Sequence, residues 1–231
     1  MLDIPTSHLR QRLAAAPVAL LEVLPRIGRL MITASHLGAT HERIGSVEGV
    51  TFRDGWAGIT GAAHWSQIEL AAIAEVVVDR TSVMQGRAYP RIDLFRADGS
   101  VLAGIVGFEG LEPFDAALAS LGAGEPLPPL PERPVVDRTE AGPGDLGLVA
   151  LEAARESGRP VVIGFRRPGF EQSWQGVVDT VRPAMGFVNV MRSDFHLHLR
   201  AGAVALWRPG GGRQHAHDAG GSAIGLSVEA T

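Results

Sequence analysis

The stretch Ser193–Pro209, SDFHLHLRAGAVALWRP, carries His196 and His198 one residue apart, with Arg192 before them and Arg200 after. On a strand, alternate residues share a face, so both imidazoles point the same way. Imidazole is a metal ligand through either ring nitrogen, and guanidinium binds carboxylates through paired N–H groups. That face is therefore either a ligand-holding surface or the polar side of a half-buried strand, with His198 packed and bonded to a neighbouring strand.

Other imidazoles offer less. His41 lies in ATHERIG with Glu42 and Arg43 as available partners, and His36 precedes it by five residues. GGGRQHAHDAGG places His215 and His217 beside Asp218, a donor set of the zinc or iron type, but with no third imidazole in reach. The surrounding glycines mark a mobile or shortened hairpin. The GGGR run lacks the preceding strand and following helix of a phosphate-binding loop.

Composition excludes several chemistries. The chain has no cysteine, so disulfides, thiolate metal sites and a cysteine nucleophile are absent. All 21 basic residues are arginine, which removes a Walker lysine and a Schiff-base lysine. A formal net charge of −4 gives no general pull toward nucleic acid. No apolar run approaches the roughly 20 residues that span a bilayer, and the N-terminus has no apolar signal core. The expectation is a cytoplasmic protein with no membrane insertion and no nucleic-acid partner.

The elements that position these residues follow from periodicity. Ser7 is placed to cap a short helix through Ala15, and Pro17 to open a second, PVALLEVLPRIG. From Arg29 the pattern changes to short strand-like runs, with a hairpin around Asp98-Gly99. A helix with Pro113 near its start ends before Gly122. GEPLPPLPERPVVDRTEAGPGDLG then has no amphipathic period and reads as an extended crossover. The helix LGLVALEAARESG follows, and strands resume.

The second strand-rich block echoes the first at an offset of roughly 130 residues. LMITASHLGATHERIGSVEGV lies over VVIGFRRPGFEQSWQGVVDTV, GWAGITG over AMGFVNV, and WSQIELAAIAEVVVDR over FHLHLRAGAVALWRP. The fold class expected is α+β, with two tandem repeats of a helix-plus-antiparallel-sheet unit, large stacked antiparallel sheets and flanking helices. Residues 1–121 form the first repeat with N-terminal helices, 122–147 the Pro/Gly-rich crossover, and 148–231 the second, shortened repeat.

IGRLMITASHLGATHERIGSVEGV and IDLFRADGSVLAGIVGFEG, with Asp194-Phe195-His196-Leu197-His198-Leu199 and then Trp207-Arg208-Pro209, carry a family resemblance. The chain resembles the HemS/ChuX haem-utilisation proteins in their two-repeat form, from about Ile27 onward. The resemblance implies the α+β fold above and a protein that carries haem in the cytoplasm. It also implies departures. The family's axial histidine lies between the repeats, yet residues 122–195 contain no histidine. The Gln, Tyr and Arg of the family's final strand are matched approximately by Leu226, Val228 and Thr231. The family's lysine near the haem is matched by Arg208, and His196 replaces an asparagine.

The function this implies is haem binding and trafficking, with haem against a sheet. His198 or His196 is the expected iron ligand, and Arg200 and Arg208 the expected propionate partners. One alternative is a haem-degrading enzyme fed by an external electron donor, since the sequence has no redox motif of its own. A second is a non-haem binding or interaction protein that keeps the fold without the site.

Overall fold

The computed structural model describes residues 9–131 and 138–230, which divide into two compact units: 9–34 with 44–131, and 35–43 with 138–230. The chain opens with β1 (Arg10–Leu13), α1 (Pro17–Glu22) and a 3-10 turn at Leu24–Arg26. Next come β2 (Arg29–His36), β3 (Ala39–Ser46), β4 (Gly49–Arg53), β5 (Trp56–Gly61), β6 (His64–Glu69) and β7 (Glu75–Asp79). The short pair β8 (Val83–Met84) and β9 (Arg87–Ala88) precedes β10 (Arg91–Phe95), β11 (Val101–Gly107), α2 (Leu111–Leu118) and β12 (Glu125–Pro126). The remainder is α3 (Leu146–Ser157), β13 (Pro160–Arg167), β14 (Phe170–Val177), β15 (Arg182–Ala184) and β16 (Phe187–Met191), then β17 (Phe195–Arg200), β18 (Leu206–Gly210), β19 (Arg213–His217) and β20 (Ala223–Ala230).

In the first unit the strands pair in the orders β12-β1-β7-β10-β11-β2 and β4-β5-β6. In the second they pair as β18-β19-β20-β13-β14, and as the start of β3 with β17-β16-β15. The order β7-β10-β11-β2 recurs as β18-β19-β20-β13, and β4-β5-β6 as β15-β16-β17. The fold is thus α+β and built from a duplicated antiparallel unit, as the sequence echo implied. Among the described residues, no helix is long and apolar enough to cross a membrane.

Local chemistry explains the elements. Asp98 accepts from the Ser100 N–H and hydroxyl at 2.9 and 2.6 Å, with Gly99 at φ 78°, and so closes the β10–β11 hairpin. Asp145 caps α3 by accepting from the Gly147 and Leu148 N–H groups at 2.8 and 3.0 Å. Its other oxygen takes the Gly202 N–H at 2.7 Å, which ties the helix start to the turn after β17. Gly158 ends the helix in the left-handed conformation at φ 60°.

One expected helix is a strand. Residues 10–13 form β1, although Ser7 was placed to begin a helix through Ala15; Ser7 itself lies outside the described residues. Gln11 and Leu13 are buried while Arg10 and Arg12 are not, a period of two. Strand β7 supplies a ladder for that period, pairing Gln11 with Val78 and Leu13 with Val76. Arg10 then reaches Asp79 at 3.1 Å, and Arg12 reaches Glu75 at 3.2 Å. The crossover contributes Glu125 and Pro126 to the outer edge of β1, where a proline costs no ladder bond. Crossover residues 132–137 lie outside the described residues.

The first unit's core gathers Leu20, Leu21, Ile27, Leu30, Ile32 and Phe114, and the second's Phe165, Phe170, Phe195 and Leu197, all fully buried. Gly147 packs α3 directly on Leu199 of β17, where any Cβ collides with the leucine side chain. Gly147→Ala is expected to destabilise the protein by about 1–3 kcal/mol through overpacking. Urea denaturation checks it: the midpoint falls with an unchanged slope.

Candidate functional site

Strand β17 alternates as its sequence requires. Phe195, Leu197 and Leu199 are buried, while His196, His198 and Arg200 lie on the opposite face. Its neighbours fix what meets each imidazole. On one side β3 pairs Glu42 with His196, His41 with Leu197 and Thr40 with His198. On the other, β16 pairs Met191 with His196, Asn189 with His198 and Phe187 with Arg200.

His41 sets this register. It points inward, fully buried, between the rings of Phe165 and Phe195 at 6.0 and 4.8 Å. Its Nδ1 lies 2.8 Å from Gln172 Oε1 and its Nε2 3.2 Å from the Ile163 carbonyl oxygen. Burial pushes this imidazole down to about 4, against the opposing effect of its hydrogen bonds, so the ring is neutral near neutral pH. A neutral ring donates from one nitrogen only. Both nitrogens face oxygens, so the neutral ring donates to one of them, Gln172 Oε1 or the Ile163 carbonyl. His41 is therefore a structural core residue.

With His41 inside, Glu42 must face outward, beside the histidine pair. Its Oε2 lies 3.2 Å from His196 Nδ1 and 3.6 Å from His198 Nε2, and only 12% of the side chain is exposed. Burial works against the charge, but the hydrogen bonds and positive charge of His196 and His198 outweigh it and hold the carboxyl at about 2. His198 Nδ1 meets Asn189 Oδ1 at 2.7 Å. The other end of that carboxamide donates to the carbonyls of Arg182, Ala184 and Phe187 at 3.0, 3.3 and 3.2 Å. Arg43, on the buried face, sits 3.7 Å from Asp194, whose carboxylate also accepts from the Trp174 indole at 3.1 Å.

Two clefts open over this face, both within the second unit and both touching Arg138 and Phe187. One, of about 390 Å³, is lined by Ala184, Met185, Phe187 and Met191 together with Arg138, Arg182 and His198. Met185 is 78% and Met191 49% exposed, so apolar surface stands open to water here. The Arg138 guanidinium lies 4.8 Å above the Phe187 ring. The other cleft, of about 630 Å³, is bounded by His36, Thr40, Arg138, Phe187 and Arg200.

The expected site residues therefore separate. His196, His198 and Arg200 share one face, with His36 at the rim of the larger cleft. Arg208 is exposed on β18, opposite His215 of β19, and lines neither cleft. His215 and His217 lie in paired strands, each 3.0 or 3.1 Å from a backbone carbonyl, of Gly210 and Gly221 respectively. The glycines there make the tight turn of a hairpin, with Gly211 and Gly212 at φ 59° and 81°. Leu226 is buried on β20, and Thr231 lies outside the described residues.

Sequence reasoning missed Glu42 as a partner of the pair, Asn189 as the clamp on His198, and Arg138, Arg182, Met185 and Met191 as cleft walls. Asn189 and Met191 carried a signal: they sit two apart on the hairpin partner of β17 and must share its outer face.

The arrangement defines a class first: a tandem-repeat α+β protein whose second unit carries an open face of apolar, imidazole and guanidinium groups. Solved structures that share the fold along nearly the whole of this chain include two. ChuS, an Escherichia coli haem oxygenase, superposes with a TM-score of 0.77 at 17% identity, covering 98% of this chain and 84% of that one. Holo-PhuS, a haem-binding protein from Pseudomonas aeruginosa, gives 0.76 at 19% identity, covering 96% and 81%. At these identities the likeness establishes the fold, the one that the sequence resemblance implied. No family model and no curated protein matches the sequence.

His41 and Glu42, the two groups displaced furthest, shape the acid limb of stability. The unfolded chain holds more protons than the folded one between 6.5 and about 4 through His41, and between 4.5 and about 2 through Glu42. Stability is therefore lost as pH falls through each window, by about 3 kcal/mol apiece. Unfolding free energies measured against pH should lose the upper slope in His41→Leu and the lower slope in Glu42→Gln.

Proposed function

We propose that this chain binds haem on the outer face of β15, β16 and β17 and carries it in the cytoplasm. The observation that supports this most is the smaller cleft. Its apolar lining suits a macrocycle, and two guanidinium groups and an imidazole in the same lining suit carboxylates and iron. Burying apolar macrocycle surface there gains roughly 25 cal/mol per Å². Charge-assisted bonds from Arg138 and Arg182 to the propionates, with Arg200 serving the larger cleft, would fix orientation. His198 is the iron ligand in this reading, because it borders the cleft and Asn189 already holds its ring. His196 lies closer to Glu42, at 3.2 Å against 3.6 Å for His198, and lines neither cleft, so it is the less available ring. Arg208, retained by resemblance as a propionate partner, stands apart from this face.

When bound, haem supplies an iron centre that can exchange ligands and electrons. The chain's own residues bind it, orient it and shield one side from water. A second reading, oxidative opening of the macrocycle with an outside electron donor, is favoured by the fold shared with ChuS. Reductant added to the haem complex separates the two: a carrier keeps its Soret band, while a degradative enzyme loses it with release of iron.

Haemin titration followed in the Soret region tests the binding. The wild type should bind one equivalent with a sharp, shifted band. His198→Ala should shift that band and weaken binding by about tenfold or more, and Arg138→Gln and Arg182→Gln should each weaken it by about tenfold, the worth of a charged hydrogen bond. His196→Ala should keep the wild-type band. A wild type that leaves haemin unshifted would favour the reading in which the fold serves a different ligand or partner.

A further inference from the structure

Three donor groups on this face converge without any reference to haem. Glu42 Oε2 lies 3.2 Å from His196 Nδ1 and 3.6 Å from His198 Nε2, and the donor atoms of the three residues all fall within 4.8 Å of one another. The protonation of one is set by its surroundings. The Asn189 amide nitrogen is committed to three backbone carbonyls, so the oxygen is the end facing His198 Nδ1 at 2.7 Å. An oxygen can only accept, so Nδ1 carries the proton. With Nδ1 turned to Asn189, Nε2 is the nitrogen that faces the carboxylate oxygen, 3.6 Å away. That separation is longer than a close hydrogen bond and is the width that one cation spans between two ligand atoms.

We propose that Glu42, His196 and His198 bind one divalent transition-metal ion of the zinc or ferrous class. Metal–nitrogen and metal–oxygen bonds near 2.1 Å in a tetrahedral arrangement separate the donor atoms by about 3.4 Å, and the two distances to Oε2 bracket that value. Two imidazoles and one carboxylate select zinc, iron or cobalt over calcium and magnesium, which prefer all-oxygen sets. The ligands come from adjacent strands in fixed register, and Asn189 orients His198 as an outer partner of a metal-bound imidazole does. The His196 and His198 side chains are 23% and 30% exposed, which leaves the outward coordination positions open to water or to a small ligand.

This site goes beyond the haem reading and does not depend on it. It also has a consequence for it, because His198 Nε2 can serve only one metal. The divalent ion and haem therefore compete, and the haem-free protein is the metal-binding form.

Cobalt(II) titration of the full chain, followed through its visible ligand-field bands and by zinc competition, tests the proposal. The expected result is one equivalent of Co(II) with the band pattern of nitrogen and oxygen ligands, displaced by zinc. Glu42→Gln and His196→Ala should each weaken Co(II) binding by more than about tenfold, and Asn189→Ala by about 10–100-fold. Circular dichroism confirms that each variant is folded. Glu42→Gln should still take up haemin, and haemin should displace Co(II) from the wild type. Co(II) binding that depends on Glu42 supports the site whether or not haemin binds. A wild type that takes up no Co(II), or takes it up as well as Glu42→Gln does, overturns it, and simultaneous binding of both ligands overturns the competition.

Discussion

The second unit depends on where one imidazole goes. His41 is fully buried between Phe165 and Phe195 and hydrogen-bonded to Gln172 and Ile163. A buried polar ring without those partners would cost several kcal/mol, so β3 is held in one register. A slip by one residue would put Glu42 among the phenylalanines and His41 in water. The buried bonds of His41 thus place Glu42 opposite His196, and Glu42 in turn gathers both histidines of β17.

The same register explains the division of labour on that face. The row nearest β3 is polar and convergent, made of Glu42, His196 and His198. The rows over β16 and β15 are apolar and open, made of Phe187, Met185 and Met191, with Arg138 and Arg182 beside them. Asn189 stands between the two, bonded to β15 through one end of its amide and to His198 through the other. His198 is therefore the residue at which a metal ion on one side and a planar apolar ligand on the other would meet.

Much of this was legible in the sequence. The alternation of FHLHLR put both imidazoles on one face, the echo between halves gave a duplicated antiparallel unit, and Asp98-Gly99 marked its hairpin. The partners of the histidines were not legible, because Glu42 lies 154 residues before His196 and joins it only through strand pairing. Arg138 was hidden for another reason: it lies in a crossover without periodicity, which carries no signal of the direction its side chains take. The helix expected over residues 10–13 failed because four residues fit either period, and the ladder offered by β7 decided between them.

The central claim is that haem lies on the outer face of β15–β17 with its iron at His198. An anomalous-scattering map at the iron edge, from crystals of the haem complex, tests it most directly. The account predicts a single iron peak within bonding distance of His198 Nε2, with the macrocycle over Phe187 and the propionates toward Arg138 and Arg182. An iron peak in the first unit, or beside Arg208 and His215, would contradict it.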